Sequence, residues 1–214
     1  MAGKECVTLI VDKRLGQGNN LVGDEACRAL VCGPRSLLAL RGLQGDVQTL
    51  LEDVDARLRL RRIEEGPDAM ADPSAVASLV SILLYGGRVE AGKPGYMVEP
   101  VIAGLRGDGT PYLCCQDGLG SKLESPTFVV AGTAATALYG ACEALYEPDL
   151  DADALTDLAL AATASGLDRD SLSGRDVLVY RVTRDGTTKE ARTLGPAPGL
   201  VPRNKGLAPK PLNW

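Results

Sequence analysis

The sequence contains no histidine. That absence excludes Ser-His-Asp triads, Cys-His dyads, histidine general bases and nearly all catalytic zinc sites, so any chemistry must come from carboxylates, lysine, tyrosine, serine or threonine. A basic stripe is missing as well: 23 Lys and Arg stand against 28 Asp and Glu, a formal charge of −5. Phosphate backbones reward clustered cations, so neither nucleic acid nor an anionic membrane is expected as a partner. There is no apolar run of ~18 residues and no signal-peptide pattern, which leads to the expectation of a soluble chain that is not secreted. The six cysteines (Cys6, Cys27, Cys32, Cys114, Cys115 and Cys142) form no CxxC pair and sit inside apolar runs. Adjacent Cys114 and Cys115 would face opposite sides of a strand, so all six are expected to be reduced core residues of an intracellular protein, with no metal site. Phosphate-binding motifs are lacking too. Gly16-x-Gly18 and the Gly104 to Gly109 stretch have no strand-to-helix context, and no P-loop lysine follows a glycine run, so both read as turns and no cofactor is implied.

What is present organises around Thr127 to Tyr146. Phe128, Val129 and Val130 read as a buried strand that turns at Gly132 into an apolar helix, with Thr133 as N-cap and Gly140 leaving room for a close neighbour. Glu147-Pro148 ends it. A strand and helix this apolar require cover on both sides, by a sheet and by a second helix.

At 214 residues with 45% hydrophobic content, a single globule is long enough to bury roughly 70% of its unfolded surface without disulfide or metal support. Strands are expected at Cys6 to Asp12, Cys27 to Cys32 and Ser36 to Leu40, with a loop from Lys13 to Asn20. Val47, Leu50, Leu51, Val54 and Leu58 then follow the i, i+3, i+4, i+7, i+11 spacing of an amphipathic helix over 46–65. Its arginines, Arg57, Arg59, Arg61 and Arg62, read as a solvated end. Asp72-Pro73 caps a second helix that runs to Gly86-Gly87. The 97–105 stretch is a buried strand in which Pro100 implies a bulge or an edge. Asp108-Gly109 turns into a strand at Tyr112 to Gln116, and Asp117-Gly118 begins another turn. A fourth helix starts near Asp151, with Gly166 past its end; the acids from Asp149 to Asp157 fit capping better than a cation site. Val177 to Val182 and Thr188 to Leu194 form a closing hairpin.

Strands, two helices, strands, two helices and strands together predict an α+β fold, a four-layer α-β-β-α sandwich of two stacked antiparallel sheets with paired helices on each side. The folded domain is assigned to 1–194, and 195–214, rich in proline, to an extended C-terminal tail.

Five ordered stretches carry a family resemblance: IVDKRLG at 10–16, GDVQTLLEDVDARLRL at 45–60, EPVIAGL at 99–105, FVVAGTAATALYGACEALYEPDLDADAL at 128–155 and LDRDSLSG at 167–174. Over nearly its whole length the chain resembles proteasome beta-type subunits, the type 3 branch most closely. That resemblance implies the N-terminal nucleophile hydrolase fold, which agrees with the element order. In active relatives an N-terminal threonine attacks the peptide carbonyl and its own α-amino group is the base. The threonine would lie on a strand running ahead of CVTLIVD; here Met1 falls after that point, so a truncated first strand is expected, and Thr8 lies too deep in a strand to serve. Asp12, Asp170 and Ser173 match the family's site aspartate and Asp-x-x-Ser group, whereas Arg28 replaces a lysine and Ala131 a serine. An arginine is fixed as a cation and cannot tune its proton affinity. Asp12, Arg28, Ala131, Asp170 and Ser173 are therefore expected to be a vestigial cluster.

The resemblance further implies a non-catalytic subunit of the proteasome core particle in ubiquitin-linked degradation, in cytoplasm and nucleus. Its partners would be type 2 and type 4 beta neighbours, an alpha ring and the opposite beta ring. The turn holding Asp117 and Ser121 would reach the substrate pocket of the type 2 neighbour. The alternative is a threonine endopeptidase subunit whose mature N-terminus lies outside this sequence.

Overall fold

Two antiparallel sheets, stacked face to face, carry the fold. The computed structural model describes residues 1–17, 19–66, 72–90 and 95–195. The expected tail lies outside these residues except for Gly195. In chain order come strands β1 (Ala2–Gly3), β2 (Cys6–Asp12), β3 (Leu15–Gln17), β4 (Asn20–Gly23), β5 (Ala29–Gly33) and β6 (Ser36–Gly42), then helices α1 (Gln44–Glu65) and α2 (Pro73–Val89). Strands β7 (Val98–Leu105), β8 (Pro111–Gln116) and β9 (Lys122–Glu124), helices α3 (Ala135–Leu145) and α4 (Ala152–Leu167), and strands β10 (Asp176–Thr183) and β11 (Gly186–Thr193) complete it.

The first sheet has the order β1-β2-β10-β11 and the second β5-β6-β7-β8-β9. Between them Val7, Leu37, Ala103, Leu113, Tyr180 and Val182 interlock, and Leu37 and Leu113 can do so because alternate residues of their strands face inward. Outside the five-stranded sheet, Val47, Leu50, Leu51, Val54 and Leu58 of α1 and Val76, Val80 and Leu84 of α2 cover Leu38, Leu40, Ile102 and Cys114. These are the helix positions that the spacing predicts, and each fully buried Leu or Val is worth about 1.5–3 kcal/mol. Outside the other sheet, Ala164, Leu160 and Leu167 of α4 cover Ile10, Val177 and Val179. The four layers expected from the element order are thus present. No helix among the described residues is long and apolar enough to cross a membrane.

Several local expectations fail for identifiable reasons. Phe128 to Val130 form no strand and are half-buried, because β1 beside them is only two residues long and supplies no ladder along their length. Thr133 is not the cap of α3; Ala134 holds that position without a side-chain bond, and the Thr133 hydroxyl is engaged elsewhere. The close helix approach lies at Gly166, inside α4, where an added Cβ would meet the Leu138 side chain, whereas Gly140 faces open space. Only Cys142 of α3 is buried, so its outer face lacks the expected cover. Helix α2 continues through Gly86-Gly87 to Val89, and Lys13 to Asn20 contribute to a hairpin rather than a plain loop. Pro100 causes neither bulge nor edge: its register with Leu40 is regular, and pairing of β7 with β8 begins one residue later, at Val101. Cys27 is exposed and Cys115 only half-buried, so two of the six thiols are not core residues; all six are free.

Candidate functional site

Strand β2 ends on Asp12, and the sheet carries this carboxylate to a place where three other segments meet. Arg28, just ahead of β5, donates to Asp12 Oδ1 at 2.8 Å and to the Arg14 carbonyl at 2.7 Å. The Gly174 amide, past the end of α4, donates to Asp12 Oδ2 at 3.1 Å. Four residues back, Asp170 Oδ2 accepts from the Ser173 hydroxyl at 2.7 Å and from the Thr133 hydroxyl at 2.5 Å, while its Oδ1 accepts from the Leu172 amide at 3.0 Å. Ala131 lies on the corner leading to Thr133 and lines the same cavity as Asp12, Arg28 and Ser173. The five residues singled out in the sequence are therefore gathered by elements from both ends of the chain.

Two participants are not obvious from the sequence. Arg14 donates to the carbonyls of Leu172 and Asn19, which ties the turn after α4 to the hairpin of β3 and β4. Thr133 holds Asp170 rather than a helix end. For both the available signal is proximity: Arg14 is two residues beyond Asp12 on an extended segment, and Thr133 two beyond Ala131.

The electrostatics of the two carboxylates differ. Burial pushes Asp12 above the usual aspartate range, and the Gly174 amide and Arg28 offset that only in part. Burial acts on Asp170 in the same sense but is outweighed by the bonds from Thr133, Ser173 and Leu172 and by the charge of Arg14, so its carboxyl lies below the usual range. A carboxylate held ionised by three donors is a poor proton acceptor. The hydroxyls present both donate to it, Arg28 has no proton to yield, and Ala131 offers none. The Met1 α-amino group is buried, its pKa lowered to about 6 by desolvation, and it donates to the Thr8 carbonyl at 2.8 Å. It sits opposite Thr8, four residues from Asp12 along the strand, hence roughly 13 Å away at ~3.3 Å per residue.

Asp117 and Ser121 do not join this cluster. They close the turn between β8 and β9, where Asp117 Oδ1 accepts the Leu119 and Ser121 amides, each at 2.9 Å. Acids at the start of α4 are committed as well: Asp151 caps the helix by accepting from the Ala154 amide at 2.9 Å, and Asp153, in its first turn, pairs with Arg181 at 2.6 Å.

Known proteins are similar to this chain over most of its length. The family model described as "Proteasome subunit" matches residues 1–182. "Proteasome subunit beta type-3-A" of Arabidopsis thaliana is 40% identical over 183 residues, covering 86% of this chain and 87% of the relative. "Probable proteasome subunit beta type-3" of Schizosaccharomyces pombe is 37% identical over 185 residues, covering 86% and 88%. The Drosophila melanogaster "Proteasome subunit beta type-3" is 34% identical over 195 residues, 91% of each chain. With the stacked sheets, the paired helices and a match over most of its length, the chain belongs to the proteasome subunit family.

Proposed function

We propose that this chain is a non-catalytic beta type 3 subunit of the proteasome core particle, which builds the beta ring and shapes a neighbour's proteolytic site in ubiquitin-linked degradation. One observation carries the non-catalytic reading: the polar side chains of the cluster are already engaged in hydrogen bonds, with one another or with nearby main chain. Thr133 and Ser173 both donate to Asp170, whose carboxyl is held below its usual range, and a cation without a titratable proton, Arg28, occupies the partner position of Asp12. No hydroxyl there has a competent base, which nucleophilic catalysis requires. The cluster instead pins the ends of β2 and β5 to the turn after α4.

Exposed apolar side chains support ring assembly. Leu60 and Ile63 on α1 and Tyr139 on α3 are 58%, 80% and 41% exposed, which fits contacts with other beta subunits, with type 2 and type 4 as neighbours in the ring, and with an alpha ring and the opposite beta ring. Cytoplasm and nucleus are the compartments that go with this reading.

The shaping role rests on the turn at Asp117. Its Oδ1 is occupied by two amides, which leaves Oδ2 to face a cationic substrate group of the type 2 neighbour. At ~4 Å and an effective dielectric near 20 the attraction is about 4 kcal/mol before desolvation, and a net preference of ~1 kcal/mol is reasonable. Two experiments test the proposal on the purified particle. Threonine-directed epoxyketone probes should leave this chain unlabelled; an adduct on a terminal threonine of this chain would favour an active endopeptidase subunit instead. Asp117→Asn, which preserves the turn bonds, should lower cleavage after basic residues several-fold and leave other cleavages unchanged. Equal rates would assign Asp117 to the fold alone.

A further inference from the structure

The turn between β8 and β9 is attached to helix α2 by an exchange of hydrogen bonds. Within this chain's helices a hydroxyl commonly bonds the carbonyl four residues back: Thr49 donates to Gly45 at 2.9 Å, Ser78 to Ser74 at 3.0 Å, Thr156 to Ala152 at 2.6 Å and Thr163 to Ala159 at 2.7 Å. Ser81 does not. Its Oγ leaves the helix and donates to the Gly120 carbonyl at 2.6 Å. The carbonyl it passes over, that of Ala77, accepts instead from Gln116 Nε2 at 2.6 Å in a buried contact. One side chain from each element thus bonds the main chain of the other, on the two flanks of the turn at Asp117.

This attachment decides where Asp117 stands. Within the turn, Asp117 Oδ1 accepts the Leu119 and Ser121 amides, and the Asp117 carbonyl accepts the Gly120 amide at 3.0 Å. Those bonds fix the shape of the turn but not its place on the molecule. Pairing of β8 with β9 adds little, because it covers three residue pairs at the edge of the sheet and every residue of β9 is exposed. The seat is on α2. Gly120 is buried with φ at +84°, and a Cβ there would stand 2.6 Å from the Ser81 carbonyl oxygen and 2.9 Å from its Cα. Main chain lies directly against main chain, an approach that glycine permits. Helix α2 is itself held against the sheet by Val76, Val80 and Leu84, none more than 1% exposed. Asp117 and Leu119 are exposed. The turn therefore has a rigid seat under Gly120 and presents its carboxylate to solvent.

We propose that Ser81 is a positioning residue: through its bond to Gly120 it holds the Asp117 carboxylate where a neighbouring subunit's pocket recognises a basic substrate side chain. The proposal rests on the reading that the Asp117 turn lines that pocket, and it adds the residue outside the turn on which the recognition depends. Attraction between charges weakens with separation, so a carboxylate on an unseated turn samples positions at which the substrate cation gains less. Ser81 touches neither substrate nor the reacting atoms, so its loss falls on binding and not on the bond-breaking step.

The test uses purified particles carrying Ser81→Ala, Asp117→Asn or both. Ser81→Ala should raise KM for peptides cleaved after basic residues about two- to fivefold, the range that one net hydrogen bond supports, with kcat and cleavage after hydrophobic or acidic residues unchanged. In the Asp117→Asn background it should change nothing further, because a residue that acts through that charge has no effect once the charge is gone. Asp117→Asn without effect on basic substrates would sink the reading of the turn and this proposal with it. An effect of Asp117→Asn with none of Ser81→Ala would overturn the positioning role alone, as would a Ser81→Ala effect that survives in the double variant or falls equally on all substrates. Where Ser81→Ala fails to assemble, hydrogen exchange on the full chain decides: the Gly120 amide should exchange about two- to fivefold faster than in the parent, and an unchanged rate would overturn the proposal.

Discussion

Removing the cation of the Asp12–Arg28 pair should cost more than removing the anion. The pair is 2.8 Å long, and the two side chains are only 18% and 20% exposed. At an effective dielectric near 20 the attraction at that distance is about 6 kcal/mol before desolvation. Burial nevertheless raises the Asp12 carboxyl above its usual range even with Arg28 beside it, so most of the attraction is offset by lost hydration. Arg28→Met removes the attraction and leaves the buried charge with the Gly174 amide as its remaining bond. We expect a loss of about 2 kcal/mol at pH 7, below the 3–5 kcal/mol typical of a fully buried pair because both groups keep some water. For a domain of this size that is about 4–8 °C in unfolding temperature. Asp12→Asn keeps an acceptor for Gly174 and removes the buried charge, and Arg28 retains the Arg14 carbonyl; its cost should stay under about 1 kcal/mol.

The pH dependence supplies a second, independent readout. A carboxyl whose folded pKa lies above its unfolded value contributes stability that is complete below the unfolded value, near 3.8, and is lost as pH rises through the folded one. Without Arg28 the folded value rises further, so the deficit of Arg28→Met should shrink as pH falls from 7 toward 4. Thermal unfolding of the full chain followed by circular dichroism, with the double variant closing the cycle, measures all of this. The reasoning fails if Asp12→Asn costs as much as Arg28→Met, or if the Arg28→Met deficit does not change with pH.

Asp170 should titrate in the opposite sense. Its folded pKa is lowered, so its contribution is present above about 3.8 and lost as pH falls through the folded value, and Asp170→Asn should flatten the acid limb of an unfolding-temperature profile below pH 4. Gly120→Ala should destabilise the turn by about 1–3 kcal/mol in urea unfolding, because φ is +84° and an added Cβ would stand 2.6 Å from the Ser81 carbonyl oxygen. The paired change Leu60→Asp and Ile63→Asp touches exposed positions only; it should leave the unfolding free energy of the chain within about 0.5 kcal/mol of the parent while lowering incorporation into particles in a pull-down.

Periodicity by itself determined the helices and the layering. Val47, Leu50, Leu51, Val54 and Leu58 are spaced for one face of a helix, and that face is the one α1 buries; strand pairs joined by Asp108-Gly109 and Asp185-Gly186 could only be antiparallel neighbours, as β7 with β8 and β10 with β11 are. The polar cluster was legible because the family resemblance marked Asp12, Arg28, Asp170 and Ser173 separately, but their bonds were not. Asp12 and Gly174 are 162 residues apart, and only the pairing of β2 with β10 and the packing of α4 on that sheet bring them together. Tertiary structure also overruled local signals. Phe128 to Val130 have the composition of a buried strand, yet a strand needs a partner for its main-chain groups, and the two residues of β1 supply one only at Thr127. Thr133 has the chemistry of an N-cap, but its single hydroxyl proton goes to Asp170, an ionised acceptor 37 residues away that the fold brings beside it. Composition fixes what a segment can bury, and where its hydrogen bonds go depends on which other segments the fold sets beside it.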